Sequence, residues 1–186
     1  MSSIVVSGDT SGAITIAAPA VAGTNTLTLP ASTGTVALTS QLPVAGPTFS
    51  AYTSSNTSIS SGVATKVPFN LETFDTANCF DSTTNYRFTP TVAGYYQLNS
   101  SVYVYSTSPS IRYIRAYKNG SVYQTGNQFV STPPADTTLL YSGLIYFNGT
   151  TDYAEMYVFD NGSSPTIYGN STSSNVWFSG CLVRSA

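Results

Sequence analysis

Short runs in which apolar and polar residues alternate, separated by glycine, proline and asparagine, extend along the whole chain. Such alternation predicts strands with one buried face, and no stretch of ten residues has a convincing 3.6-residue apolar period with capping signals. We therefore predict an all-β protein. After residue 46 the pattern predicts ten strands, near 48–54, 62–70, 77–81, 86–90, 94–106, 110–118, 121–129, 136–147, 152–160 and 175–184.

Three Asn-Gly pairs mark predicted turns, at Asn119, Asn148 and Asn161. Asn-Gly supplies the two positive φ angles of a type I′ turn, whose twist matches that of the flanking strands. The first two pairs join clearly alternating runs and therefore predict antiparallel hairpins. Short strands with frequent turn signals and no helix are typical of a sandwich or a jelly roll.

The first 46 residues differ from the rest, because they contain one charged residue, Asp9, and no aromatic residue. Their alternating runs lie at 4–6, 13–17, 26–29 and 35–38. Segments this short cannot bury a core alone, so we predict a β-rich stalk that pairs with copies of itself or with another protein; the alternative is a flexible tail. Residues 41–47, with two prolines and a glycine, are the predicted linker to a globular head over 47–186.

Composition indicates a folded protein that is poor in charge. Charged residues make up 8% of the chain, against about 25% in an ordinary domain, whereas 14 tyrosines and 9 phenylalanines provide material for a core. The formal net charge of −2 argues against nucleic-acid binding, which requires a basic face. We see no secretory signal and no apolar run near the ~20 residues of a membrane helix, so membrane insertion is not expected.

The two cysteines, Cys79 and Cys181, are too few for a disulfide scaffold. Cys181 lies in the apolar run 176–183, which predicts a buried free thiol. A disulfide between Cys79 and Cys181 is the alternative.

Short motifs follow one another in a fixed order through residues 47–186. They are Pro47-Thr-Phe-Ser-Ala51, Val67-Pro-Phe-Asn70, Phe74-Asp75, Tyr86-Arg-Phe-Thr-Pro90, Ala93-Gly-Tyr-Tyr-Gln97, Ala116-Tyr-Lys-Asn-Gly120, Asp152-Tyr-Ala-Glu-Met-Tyr-Val158 and Phe178-Ser-Gly-Cys-Leu182. In order and spacing this series resembles the globular head of the C1q-like (C1q/TNF superfamily) proteins, whose pattern runs FSA, FN, FT, P-x-GxYxF, KNG and a terminal FSGFLL. The resemblance implies a ten-stranded jelly-roll sandwich that assembles as a homotrimer about a three-fold axis.

Two departures from that family narrow the expected function. Cys181 stands where the family usually has an aromatic residue, and no collagen-like repeat precedes the head. These departures argue against a complement-like role and favour the prokaryotic and viral members. Residues 11–38 in addition resemble a segment that recurs in tailed-phage structural and fibre proteins.

The two resemblances together imply a phage fibre or appendage protein located in the virion. Its head would attach to a carbohydrate or protein on the host surface, and residues 1–46 would contact other virion proteins. The alternatives are a capsid decoration or head fibre with a purely structural role, and a bacterial surface protein with a C1q-like head.

Catalytic chemistry is not expected from this composition. The chain has no histidine, which removes the usual general base and the commonest metal ligand. Its eight carboxylates show no arrangement typical of a glycosidase, and no phosphate-binding glycine loop or metal-binding cysteine pair is present. We therefore expect no enzyme and no cofactor.

Calcium is the one ion to consider, because C1q-like heads can bind it near the trimer apex. Asp160, in the sequence Asp160-Asn-Gly162, is the candidate ligand. The alternative is an ordinary turn capped by that side chain.

Two sets of residues are candidates for protein contacts. In the strand predicted at 152–160, alternate side chains share one face, and a partly buried Glu155 there would need a partner such as Arg115. We hypothesise that this face forms the subunit interface, with Tyr153, Glu155, Tyr157, Phe159 and Arg115 as its candidates. Receptor contacts are expected in loops 106–110, 127–135 and 162–175, with candidates Tyr105, Tyr123, Asn127, Tyr168 and Asn170.

Overall fold

The computed structural model describes residues 3–7, 10–17, 20–21, 23–24, 26, 46–130, 135–170 and 175–186. The chain divides into two compact units, Met1–Ala37 and Leu38–Ala186. The first unit is therefore shorter than the N-terminal region that we predict to end at residue 46. No helix in the described part of the chain is long and apolar enough to cross a membrane.

The N-terminal unit contains an antiparallel hairpin of β1 (Ser3–Ser7) and β2 (Ala13–Ala17). The register places Ile4 opposite Ile16 and Val6 opposite Ile14, so four aliphatic side chains share one exposed face. Two of the predicted strands are thereby confirmed. The strand predicted at 35–38, and all but the first residue of the one at 26–29, lie outside the described residues.

The described residues of the head form thirteen strands, and each has at least one antiparallel neighbour. They are β3 (Thr48–Tyr52), β4 (Thr57–Ser58), β5 (Thr65–Lys66), β6 (Leu71–Asp75), β7 (Phe80–Asp81), β8 (Arg87–Phe88), β9 (Gly94–Thr107), β10 (Ile111–Lys118), β11 (Ser121–Val130), β12 (Asp136–Phe147), β13 (Ala154–Asp160), β14 (Ser163–Ile167) and β15 (Trp177–Ser185).

These strands form two sheets. In sheet I, the long strand β9 pairs with β12 along one edge and with β15 and β14 along successive parts of the other. The sheet continues from β15 to β3 and β6, and from β14 to β4. Sheet II runs in the order β11-β10-β13-β8-β7, with β5 also paired to β13. The predicted all-β fold is confirmed.

Inward-facing aromatic rings fill the space between the sheets. The Phe49 ring stacks on Phe88 at 4.4 Å between centroids and meets the edge of Phe178 at 4.9 Å. All three side chains are completely buried, and each such burial contributes about 1.5–3 kcal/mol to folding. Gly180 makes this packing possible, because a Cβ there would lie 2.8 Å from the Phe49 ring and would clash with Leu98.

The predicted turns are only partly correct. Asn119 and Gly120 have φ angles of 52° and 77°, so the β10–β11 connection has the two positive φ angles of a type I′ turn. The hairpin predicted at Asn148 is wrong, because β12 pairs with β9 whereas β13 lies in the other sheet. There the Asn148 Oδ1 accepts hydrogen bonds from three backbone N–H groups, those of residues 150, 151 and 152, and caps a loop that crosses between the sheets.

The alternation pattern makes β5 too long and predicts no strand at β4, β6 or β14. The strand predicted over 62–70 is restricted to β5, since Pro68 has no N–H to donate, although Val67 and Phe69 are buried in the core. Edge strand β6 is exposed along most of its length, and β14 contains Pro165 and three hydroxyl residues. Neither segment has the half-buried alternation that reveals a strand in sequence.

Candidate functional site

A buried ion pair lies between the two sheets. The Arg112 Nε donates to Asp160 Oδ2 at 2.8 Å, and both side chains are completely buried. The Nη1 of Arg112 donates to Thr137 Oγ1 at 2.7 Å, and its Nη2 donates to Ser106 Oγ at 2.7 Å. Because Ser106 and Thr137 belong to sheet I and the ion pair to sheet II, this network fixes the two sheets to each other.

This network corrects the calcium hypothesis for Asp160. Its Oδ1 accepts hydrogen bonds from the Gly162 N–H at 2.7 Å and from Ser106 at 2.8 Å, while Oδ2 faces Arg112. Calcium requires six to eight oxygen ligands, whereas a guanidinium already neutralises this carboxylate. No cluster of three or more acidic, cysteine or histidine side chains suited to a metal occurs among the described residues. The structure has the alternative, a side-chain cap, so we do not propose calcium at Asp160.

Sequence reasoning missed the role of Arg112, although a signal was present. In β10 the residue alternates in phase with Ile114 and Ala116, which are both completely buried. A basic residue in phase with core residues requires a buried acid, and Asp160 is directly opposite Arg112 in the register of β10 and β13.

The outward face of sheet II carries the residues that we predicted for the subunit interface. Three cross-strand pairs follow one another there, Tyr113 with Phe159, Arg115 with Tyr157, and Tyr117 with Glu155. We call this surface, together with Tyr153, Lys66 and Arg87, the sheet II face. The structure therefore brings all five interface candidates together on one surface.

The expected pairing of Glu155 with Arg115 is wrong. Glu155 Oε1 instead accepts a hydrogen bond from Lys66 Nζ at 2.7 Å, and Lys66 Nζ also donates to the Asn85 carbonyl at 3.1 Å. Glu155 lies opposite Tyr117, one residue pair away from Arg115, whereas Lys66 approaches from β5 on the other side of β13. Glu155 is only 5% exposed, so this ion pair satisfies a largely buried carboxylate within the monomer.

Aromatic rings on the sheet II face stack against one another. Tyr117 and Tyr157 lie 4.0 Å apart between centroids, and Tyr113 and Phe159 lie 4.8 Å apart with an interplanar angle of 5°. Burial, followed by the charge of Glu155, raises the pKa of Tyr157 to about 12. The Tyr157 phenol therefore stays protonated at neutral pH and donates to Glu155 Oε2 over a long 3.4 Å contact.

The outward face of sheet I has a different character. Between Asp136 at one end and Arg184 at the other, the outward residues of β9, β12 and β15 carry no charge. Leu140 and Leu144 are each 52% exposed, beside polar groups and further aromatic rings. We call this surface the sheet I face, and its members are Tyr95, Gln97, Asn99, Leu140, Ser142, Leu144, Tyr146, Trp177, Ser179 and Cys181.

Two of the receptor candidates meet in a tyrosine cluster beside the sheet I face. The ring of Tyr168 contacts Tyr105 at 6.0 Å and Tyr103 at 5.8 Å between centroids, both in edge-on geometry. Asn170, another candidate, follows two residues after Tyr168 and is half-buried. The cluster therefore presents phenol groups at the β14 side of sheet I.

The other two receptor candidates lie on β11, away from this cluster. Tyr123 is exposed. The Asn127 side chain accepts a hydrogen bond from the Leu140 N–H at 2.7 Å and donates to the Thr138 carbonyl at 3.5 Å. Asn127 therefore joins β11 of sheet II to the edge of β12 in sheet I, so its side chain is engaged by the fold. The five candidates do not form one site.

No protein-family model matches the sequence, and no curated protein matches it. Solved structures nevertheless share its architecture. The globular domain of zebrafish complement 1qA protein matches with a TM-score of 0.54 and 16% identity, over 76% of this chain and 99% of its own. Murine APRIL matches with a TM-score of 0.51 and 10% identity, over 74% of this chain and 98% of its own. The head has a C1q/TNF-like jelly-roll fold.

A third solved structure shares this C1q/TNF-like fold. The PRD1 vertex protein P5 matches with a TM-score of 0.52 and 15% identity, over 75% of this chain and 99% of its own. At identities this low, similarity establishes the fold and not the activity. The resemblance expected from the sequence motifs is confirmed at that level.

Both cysteines of the C1q/TNF-like head are free, but their burial is the reverse of what we predicted for Cys181. Cys79 is buried, and Cys181 is exposed. In β15 the buried residues are Phe178 and Gly180, so the two-residue period directs Cys181 outward onto the sheet I face. The apolar run that suggested burial ends in a segment where both sides of the strand are largely open.

Proposed function

We propose that this chain is a non-enzymatic virion appendage protein, in which three C1q/TNF-like heads associate through their sheet I faces. The single observation that carries the proposal is the uncharged sheet I face with two half-exposed leucines, Leu140 and Leu144. Exposed leucines on a face that is depleted of charge are typical of protein–protein contact surfaces. The fold shared with the PRD1 vertex protein P5 supports the virion as its location.

The contrast with the sheet II face supports this choice of interface. Glu155 already has Lys66 as its partner, and the tyrosine rings already stack on one another within the monomer. Burying that face would desolvate basic groups without supplying acidic partners. We therefore move the proposed subunit interface from Tyr153, Glu155, Tyr157, Phe159 and Arg115 to the sheet I face.

The exposed aliphatic face of the N-terminal hairpin supports a role for residues 1–46 in assembly. Its Ile4, Val6, Ile14 and Ile16 side chains remain exposed on a two-stranded hairpin, which is marginal in water by itself. We propose that this face packs against further copies or against another virion protein. The head would then be displayed outward for attachment to the host surface.

Light scattering from the purified full chain tests the assembly. A particle of three chains, each of 19.6 kDa, is the expected result. A stable monomer at micromolar concentration would overturn the proposed trimer.

Direct binding separates attachment from a purely structural role. Fluorescently labelled protein should adhere to bacterial cells of a permissive strain and fail to adhere to resistant mutants. A protein that coats capsids and ignores cells would instead be a decoration protein. Immunogold labelling of intact particles would show where on the virion the chain sits, and labelling of bacterial surfaces alone would favour the bacterial alternative.

A further inference from the structure

Arg115 on the sheet II face is held in place without an acidic partner. Its guanidinium carbon lies 4.0 Å from the centroid of the Tyr113 ring, and its Nε donates to Thr125 Oγ1 at 3.1 Å. No carboxylate lies within ion-pair distance of Arg115 in the described part of the chain. The two terminal Nη groups are therefore available to a ligand, on a side chain whose orientation is already fixed.

Arg87 repeats this arrangement on the other side of β13. Its guanidinium carbon lies 4.4 Å from the centroid of the Tyr153 ring, and it also has no ion pair among the described residues. By contrast, Lys66, Arg112 and Lys118 each contact a carboxylate. The two arginines that stack on tyrosines are thus the ones with free charge on this face.

The charges around the sheet II face are nearly balanced although the chain is acidic. Lys66, Arg87 and Arg115 lie there with Glu155, Asp81 and Glu72, and Glu72 lines one cavity with Arg87 and Asp81, so three positive side chains meet three negative ones, against −2 for the whole chain. The Asp81 carboxylate accepts hydrogen bonds from the N–H groups of residues 83, 84 and 85, which also lowers its pKa. These bonds keep the carboxylate ionised and fix its orientation within its own turn.

The neutral groups between the two arginines suit a sugar polymer. Four phenol groups, those of Tyr113, Tyr117, Tyr153 and Tyr157, provide hydroxyls beside apolar ring edges. Thr125 and Gln128 lie opposite Arg115 and Tyr113 on β11 and extend the polar surface. Sugars present both hydroxyl groups and apolar C–H faces, so this combination can contact each of them.

We propose that the sheet II face binds an acidic polysaccharide whose sugar units carry carboxylates, with Arg87 and Arg115 as the carboxylate-binding residues. The forked Nη groups of arginine match the two oxygens of a carboxylate, and such paired, charge-assisted hydrogen bonds are among the stronger ones in proteins. The inference rests on the proposed attachment role, because it names the class of surface molecule that the head would recognise.

Native gel electrophoresis through gels that contain a polymer tests this inference. The probes are polygalacturonate and polysialic acid, which carry carboxylates on sugar units, with neutral dextran as the reference polymer and polyglutamate as an acidic peptide. The full-length protein should be retarded by at least one of the two acidic polysaccharides and by neither reference. Retardation by neither acidic polysaccharide, or equal retardation by polyglutamate, would overturn the proposal.

Matched variants identify the residues involved. The double variant R87Q/R115Q should weaken the retardation at least about tenfold, because it removes two charge-assisted contacts. R184Q removes one positive charge outside the sheet II face and should bind like wild type. R87K/R115K keeps both positive charges but loses the forked Nη groups, so its retardation should lie between that of wild type and that of R87Q/R115Q. If R184Q weakens binding as much as R87Q/R115Q does, a general charge effect replaces the proposed site.

Separate control measurements test the folding of the variant and the attachment role of the protein. Thermal unfolding and light scattering should show that R87Q/R115Q keeps the stability and mass of wild type, because both side chains lie on the surface. A wild-type protein that attaches to cells but ignores acidic polysaccharides would refute this inference and leave the attachment role intact. Binding to a polysaccharide without attachment to any cell or particle would refute the attachment role instead.

Discussion

The sheet I face and the sheet II face are built on the same two-residue period, yet they leave different groups open to other molecules. On the sheet II face, rings stack in pairs, Lys66 neutralises Glu155, and Arg115 is held over Tyr113. On the sheet I face, Leu140 and Leu144 point outward without a charged neighbour between the two ends of the sheet. Alternation therefore determines which side chains point outward. Contacts within the monomer determine whether those outward side chains already have partners or remain open to another molecule.

The largest loss of stability is expected when the Arg112–Asp160 ion pair, which joins the two sheets, is broken. Arg112→Leu leaves Asp160 buried without a counter-charge, which should cost about 3–5 kcal/mol of unfolding free energy. Urea unfolding followed by tyrosine fluorescence measures this loss. The double variant R112L/D160L removes both charges and should recover part of the stability. If R112L is as stable as wild type, the network does not join the sheets as described.

Charge on the sheet I face should abolish assembly without unfolding the head. In L140K/L144K two ammonium groups would have to be buried in the proposed interface, so the mass should fall to that of one chain. Light scattering after gel filtration measures this change. Val122→Lys is the matched control, because Val122 is 50% exposed but lies on β11 in sheet II.

The opposite result would restore the earlier interface. If L140K/L144K stays trimeric while Tyr157→Lys yields monomers, the subunit contact lies on the sheet II face, as the strand period of residues 152–160 predicted. The polysaccharide proposal would then also fail, because its binding surface would be covered.

Thiol reactivity should report on the sheet I face directly. Cys181 is exposed in the monomer and Cys79 is buried, so a disulfide-exchange reagent should modify one thiol per chain in the L140K/L144K monomer. In the wild-type assembly the same thiol should react several-fold more slowly, because the neighbouring subunit covers it. Equal rates in both proteins would place Cys181 outside the interface.

The smallest effect is expected from the Tyr157 phenol at alkaline pH. Its pKa is raised to about 12 in the folded head, from about 10 in an unfolded chain. The protonated phenol is favoured by folding, so its contribution is present below pH ~10 and is lost as pH rises through about 12. Absorbance at 295 nm should show one fewer late-ionising tyrosine in Tyr157→Phe than in wild type. Identical titration curves would contradict this account.

Sequence reasoning recovered the long strands and the fold because they carry strong periodic signals. Strands β9, β10 and β12 alternate over eight or more residues, and the motif order through residues 47–186 agreed with the fold later found. It also placed Tyr153, Glu155, Tyr157 and Phe159 on one face, because that inference needs only the period of a strand.

Partners across strands were not recoverable in the same way. Lys66 reaches Glu155 from a two-residue strand that has no visible pattern. Asn127 on β11 bonds to the backbone of β12 in the other sheet, and no local sequence pattern reveals how these two strands are aligned. The predicted burial at a strand end was also wrong, since the run around Cys181 is apolar although both sides of that strand are largely open there. Local periodicity predicts which side of a strand a residue faces, whereas the partner that its side chain contacts depends on how distant strands are aligned.

The burial of Arg112 and Asp160 has a consequence for how the head responds to ionic strength. Screening by dissolved ions acts mainly on exposed charges separated by several ångströms, and this pair is completely enclosed. With few other charges in the chain, folding should hardly change between dilute buffer and sea-water concentrations of salt. Recognition of a charged polymer by Arg87 and Arg115 would weaken over the same range, so the surrounding medium could release the head from its target without loosening its structure.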